Sequence, residues 1–161
     1  EEVLAEQSDF DVFVVASGSG ATHSGLLAGV RSVGSAARVF GSCVRREKAL
    51  QVPRIRRLVK RLAALDPLAA KTSEEDVLIW DGALAPGYGQ LGPLAQEAIA
   101  QMARLEGLIL DPVYTAKAFA AIPALVQDGL IAKGAKVCFV HTGGLASLFA
   151  YEPMLSDVFA G

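Results

Sequence analysis

A chain of 161 residues that is 52% apolar, with a mean hydropathy of +0.39 and a formal net charge of −2, is long enough to enclose one hydrophobic core. It carries no overall charge that would draw it to nucleic acid or to an anionic membrane. No uninterrupted apolar run approaches the roughly 18 residues that span a bilayer, and Glu1-Glu2-Val3-Leu4-Ala5-Glu6-Gln7 has neither a basic n-region nor an apolar h-region, so a soluble, cytoplasmic protein is expected.

The first apolar run, Val12 to Ala16, reads as a strand and breaks into Ser17-Gly18-Ser19-Gly20-Ala21-Thr22-His23-Ser24-Gly25 before helical spacing begins over Thr22 to Val33. A strand, a small-residue turn and a helix N-terminus make an anion site. Glycine lets the backbone approach closely, hydroxyls add donors, and unpaired N–H groups point outward from the positive end of the helix. Two familiar versions are excluded. The dinucleotide fingerprint needs glycine where His23 stands, and the Walker loop needs a Gly-Lys-Ser/Thr ending.

Val39 to Val44 is the second strand. The run Arg45 to Arg61 holds eight Lys or Arg residues, and Ile55, Leu58, Val59, Leu62 and Leu65 form an apolar stripe within it. This predicts an amphipathic helix from Pro53 to Leu65 with Pro53 in its first turn and a basic face in solvent, binding of nucleic acid or a membrane being the lesser alternative. A third strand, Val77 to Trp80, leads into Asp81-Gly82-Ala83-Leu84-Ala85-Pro86-Gly87-Tyr88-Gly89, a loop that presents Tyr88 beyond the sheet. Tyr88 either covers its own loop or faces a ligand.

A helix is expected over Pro93 to Leu105, and a longer one over Tyr114 to Lys133 with Asp111 as its cap and Pro112 at its entry. The last strand, Val137 to His141, runs through Thr142-Gly143-Gly144 into a helix over Gly144 to Tyr151. Strands alternating with helices predict a single α/β domain over 1–161, a parallel sheet flanked by helices with ligands beyond the carboxyl ends of its strands. Cys43 and Cys138 fall inside strands, as reduced core residues do. His23 and His141 have no metal-ligand spacing with Cys, Asp or Glu, so no metal is expected.

Taken in order, the segments Ala16–Gly25, Ala85–Gly89, Ala103–Ala118 and Phe139–Tyr151 closely resemble the C-terminal half of the D-cysteine desulfhydrase and 1-aminocyclopropane-1-carboxylate deaminase family. L-cysteate sulfo-lyase is a close relative in that group. The resemblance implies fold type II pyridoxal-phosphate enzymes. It implies that Gly18, Ser19, Gly20, Ala21 and Thr22 hold the phosphate of pyridoxal 5′-phosphate and that Tyr88 and Tyr114 transfer protons or pack on the ring. Thr115 would face the pyridine nitrogen where the deaminase carries glutamate, and Thr142 stands where the deaminase carries leucine. Both positions favour β-elimination from a small sulfur-containing amino acid, giving pyruvate, ammonia and sulfide or sulfite. The sequence after Tyr88, Gly89-Gln90-Leu91-Gly92-Pro93, departs from the family's Tyr-Gly-x-Pro-Asn.

The resemblance also implies that the chain is the C-terminal part of a larger two-domain enzyme, with the Schiff-base lysine in the preceding half. Neither Lys48 nor Lys117 matches that lysine. The implied partners are that N-terminal half and a second copy in a homodimer. Alone, the chain would be inactive, or a non-catalytic module that binds a phosphorylated ligand.

Overall fold

The computed structural model describes residues 2–159. A short helix α1 (Glu2–Glu6) precedes β1 (Val12–Ser17), α2 (Ala21–Ser32), β2 (Arg38–Cys43) and α3 (Lys48–Leu65). A 3₁₀ turn (Pro67–Lys71) leads to β3 (Leu78–Trp80), α4 (Pro93–Glu106), α5 (Thr115–Phe119) and α6 (Ala121–Gln127). The chain then passes through β4 (Val137–Phe139) and a second 3₁₀ turn (Leu145–Ser147) into α7 (Leu148–Phe159). The four strands form one sheet in the order β3-β2-β1-β4, every pairing parallel. This is the α/β class that the alternating runs predict.

Both faces of the sheet are covered. On one, Phe13, Val39 and Ile79 pack against Leu27 and Val30 of α2 and Ile55 and Val59 of α3. On the other, Val12, Val14 and Phe40 meet Ala121 and Leu125 of α6 and Ile131 beyond it. Side chains along a strand alternate between faces, and here both faces are dry, so the strands read as unbroken apolar runs. Each fully buried Leu, Ile or Phe contributes about 1.5–3 kcal/mol. A third cluster joins Ile99 and Met102 of α4 to Ala116 of α5 and Leu155 of α7.

Three helix expectations are corrected. α3 begins at Lys48, with Pro53 inside it rather than in its first turn. The apolar stripe starting at Ile55 set the expected extent, but Gln51 is fully buried and Val52 packs on the core, so tertiary contacts carry the helix a further turn toward its N-terminus. The helix expected over Tyr114 to Lys133 is divided at Ala120 and stops at Gln127. Pro123 cannot donate to the Phe119 carbonyl one turn back, and Gly129, at φ +70°, takes the left-handed conformation beyond the helix end. The last helix enters through a 3₁₀ turn and runs past Tyr151 to Phe159. No helix among the described residues is long and apolar enough to cross a membrane.

Candidate active site

From β1 the chain moves outward through β2 to β3 and later returns to place β4 on the opposite side of β1. Loops that leave the carboxyl ends of β1 and β4 therefore diverge, and a crevice opens between them. A cleft of about 200 Å³ lies there. Ala16, Gly18, Ser19, Gly20 and Thr22 form one wall, and Tyr114 and Thr142 the other. Six residues singled out from sequence thus meet in one place. Ala21 stands beside them as the first residue of α2, its N–H 3.4 Å from the Ser19 hydroxyl.

Two glycines shape the loop. Gly20 has φ +93°, and a Cβ there would lie 2.7 Å from Ile55 Cδ1 and 2.8 Å from Leu58 Cδ1, so conformation and space both demand glycine. A Cβ on Gly18 would come within 3.1 Å of Val44 Cγ2, and the wall stays thin enough for a ligand to reach the backbone. α2 has no side-chain cap, and Ser24 N–H is bonded to Gly20 O at 2.9 Å. The preceding first-turn N–H groups have no carbonyl within the helix to meet.

Beneath the loop, Ser17, His23 and Gln51 form a buried chain. Gln51 Nε2 donates to Ser17 Oγ at 2.8 Å, and Ser17 Oγ lies 3.1 Å from His23 Nδ1. With Ser17 donating onward, the imidazole proton sits on Nε2, which has no hydrogen-bond partner among the described residues. Burial pushes His23 down to about 4, against a weaker opposing effect of the Val39 carbonyl, so the ring is neutral at pH 7. It lies over Gly41, where a Cβ would come within 2.3 Å of Nδ1. Nothing in the spacing of these residues foretold their meeting.

The Tyr88 and Tyr114 hydroxyls are 2.6 Å apart and their rings meet edge to face. The Arg45 guanidinium lies 5.6 Å from the centre of the Tyr88 ring. The hydrogen bond to Tyr88, with burial second, holds the Tyr114 phenol above the usual tyrosine range. Tyr88 is therefore not merely covering its own loop. That loop is held from beneath by Lys117, fully buried, whose Nζ donates to Leu84 O at 3.0 Å and Gly87 O at 2.7 Å. Burial lowers the Lys117 ammonium from its ordinary value. From above, the Tyr151 hydroxyl donates to Gly89 O.

Thr115 lies outside the lining of the cleft. It is fully buried, its hydroxyl donates to Asp111 Oδ1 at 2.7 Å, and it accepts from Asp111 N–H at 2.7 Å. A short side chain one helical turn from a buried carboxylate finds its partner locally, so Thr115 faces Asp111 and does not line the cleft. Asp111 accepts from the N–H groups of Val113, Tyr114 and Thr115, but it does so from the turn ahead of α5, whose cap position is Tyr114 rather than Asp111, with Pro112 outside the helix. Gly144, at φ +95°, passes so close that a Cβ would lie 2.7 Å from Asp111 Cγ.

On the β4 side, Gly143 N–H donates to His141 Nδ1 at 3.2 Å, so Nε2 carries the proton and donates to Ile109 O at 3.0 Å. Both cysteines are free, and burial pushes the Cys43 thiol up to about 12, which suits a core residue. Among the described residues no group of His, Cys, Asp or Glu could hold a metal ion.

Comparison with known proteins agrees with this fold. A family described as pyridoxal-phosphate dependent enzymes matches residues 1–143. A solved structure described as that of an ACC deaminase homologue is similar with a TM-score of 0.81 at 33% sequence identity, over 97% of this chain and 47% of that one. The chain thus spans about half the length of the protein it matches.

Proposed function

Because the chain belongs to the pyridoxal-phosphate dependent enzyme family, we propose that it forms the phosphate-binding wall and the tyrosine pair of an amino-acid lyase. The substrate is a small sulfur-containing amino acid, D-cysteine or L-cysteate, from which sulfide or sulfite departs. The supporting observation is that the cleft joins the anion loop to Tyr114 and Thr142 with hydroxyls, and no carboxylate, in its lining.

The residues present fit the cofactor's phosphate. The wall of the cleft that two glycines keep open carries outward N–H groups and the hydroxyls of Ser19 and Thr22, a donor set suited to a phosphate monoester. When bound, pyridoxal phosphate supplies a sink for the electrons left at the substrate α-carbon. A hydroxyl-lined pocket leaves that sink weaker than a carboxylate does, which favours loss of a good leaving group. With Thr115 turned to Asp111, the argument rests on Thr142.

Tyr114 holds its proton at neutral pH and passes it toward Tyr88 or a departing group, so its role is donation rather than abstraction. Lys117 and Tyr151 keep Tyr88 within reach of that proton. The rest of the site, including the lysine that binds the cofactor covalently, belongs to the part of the enzyme outside this chain, and the working form is a homodimer.

A second reading, ring opening of 1-aminocyclopropane-1-carboxylate, draws support from the similarity to the ACC deaminase homologue. Full-length protein incubated with D-cysteine, L-cysteate and the cyclopropane substrate separates the two. Pyruvate with sulfide or sulfite supports the lyase, whereas 2-oxobutyrate from the cyclopropane alone overturns it. In the same assay Tyr114→Phe is expected to lower turnover about tenfold or more while the cofactor's visible absorbance is unchanged. Unaltered turnover would remove Tyr114 from proton transfer.

A further inference from the structure

The basic run over Arg45 to Arg61 does not lie wholly in solvent. Arg56, Arg57, Lys60 and Arg61 are exposed on α3 as the stripe predicts, but Arg46 and Arg54 are half-buried and turn toward the loop after β1. Arg46 Nη1 donates to Gly18 O at 2.6 Å and to Gln51 Oε1 at 3.0 Å. Gln51 Nε2 adds a longer bond to the same Gly18 carbonyl at 3.3 Å. Arg54 Nε donates to Ser19 O at 2.6 Å.

In a planar trans peptide the carbonyl of one residue and the N–H of the next point in opposite directions. Fixing the Gly18 and Ser19 carbonyls against Arg46 and the first turns of α3 therefore turns the N–H groups of Ser19 and Gly20 away from α3, toward the cleft those residues line. Glycine on both sides of Ser19 leaves these peptides free to rotate unless something holds them. The arginines hold them, and they bring positive charge behind the loop. Burial, and then the charges of Arg54 and Arg45, lower Arg46 from its ordinary value, a repulsion that an anion in the cleft relieves.

We infer that Arg46 and Arg54 are positioning residues that set the affinity of the Gly18–Gly20 loop for a phosphate monoester by aiming its peptide N–H groups, without touching the phosphate themselves. This rests on the cofactor reading above. The test uses full-length protein cleared of cofactor, its fold checked by thermal melting. Arg46→Gln, Arg54→Gln and Arg54→Lys are titrated with pyridoxal 5′-phosphate, with pyridoxal lacking the phosphate, and with inorganic phosphate followed by ³¹P NMR.

The glutamine variants are expected to bind pyridoxal phosphate and inorganic phosphate about 10- to 100-fold more weakly, with pyridoxal unaffected. Arg54→Lys, which keeps charge and one donor, is expected to recover part of the loss. Unchanged phosphate affinity in both glutamine variants, or equal weakening toward pyridoxal and its phosphate, overturns the inference while the cofactor reading stands. Arginine-dependent binding of inorganic phosphate by a protein that ignores pyridoxal phosphate supports the inference and overturns the cofactor reading. Wild-type protein that binds neither phosphate probe overturns both.

Discussion

Asp111→Ala is expected to cost about 3–5 kcal/mol of unfolding free energy, because four donors, three of them in buried bonds, converge on that one carboxylate. Alanine leaves the N–H groups of Val113, Tyr114 and Thr115 without an acceptor where Asp111 is fully shielded from water, and leaves the Thr115 hydroxyl only a long bond of 3.4 Å to the carbonyl of residue 111. The carboxylate also fixes Tyr114, whose own N–H it accepts at 2.9 Å. Loss of stability should therefore be accompanied by loss of the Tyr88–Tyr114 contact. Asp111→Asn, which keeps one acceptor oxygen but turns donors toward donors, should fall between. Denaturant unfolding gives the first quantity and the ultraviolet titration of Tyr114 the second. A change below about 1 kcal/mol for alanine would mean that water or a rearranged turn satisfies these groups.

Acidification is the second large effect. His23 titrates at about 4 in the folded chain and near 6.5 when unfolded, so between those values the unfolded chain binds more protons. Stability present above about pH 6.5 is lost as the pH falls, by about 2 kcal/mol at pH 5 and about 3 kcal/mol at pH 4, where His23 is half-protonated in the folded chain. Denaturant midpoints across pH 4–7.5 for the wild-type chain and for His23→Asn check this. The variant, which cannot charge, should lose much of the slope, and parallel curves would show that the acid sensitivity resides in other groups.

The sheet and the strand–turn–helix layout around Gly18 to Thr22 were legible because each is written in consecutive residues. Val12 to Ala16 is apolar without interruption and the small residues that follow have few other uses. The tyrosine pair was legible only through family likeness, since 26 positions separate Tyr88 from Tyr114. What stayed hidden was direction. The spacing of basic residues over Arg45 to Arg61 does not say that Arg46 and Arg54 face a loop while Arg57 faces water, and the identity of Thr115 does not say that its hydroxyl bonds to Asp111. Helix limits failed where proline obscured them. Pro53 reads as a start in sequence because the first core contacts of α3, through Gln51 and Val52, depend on what the helix meets in space.

The imidazole seated over Gly41 has a bearing on how β1 and β2 find their alignment. A strand with one wet face announces its register, since a slip of one residue would expose its apolar set. Here both faces are apolar, and hydrophobicity alone barely separates the true alignment from its neighbours. Side-chain volume makes the distinction instead. Only Gly41, paired with Val15, leaves room beneath α2 for the His23 ring. A shift of one residue would bring Phe40 or Ser42 under it, and a shift of two would bring Val39 or Cys43. The ring and the missing side chain act as a key and its slot, selecting one pairing among several that the apolar pattern tolerates.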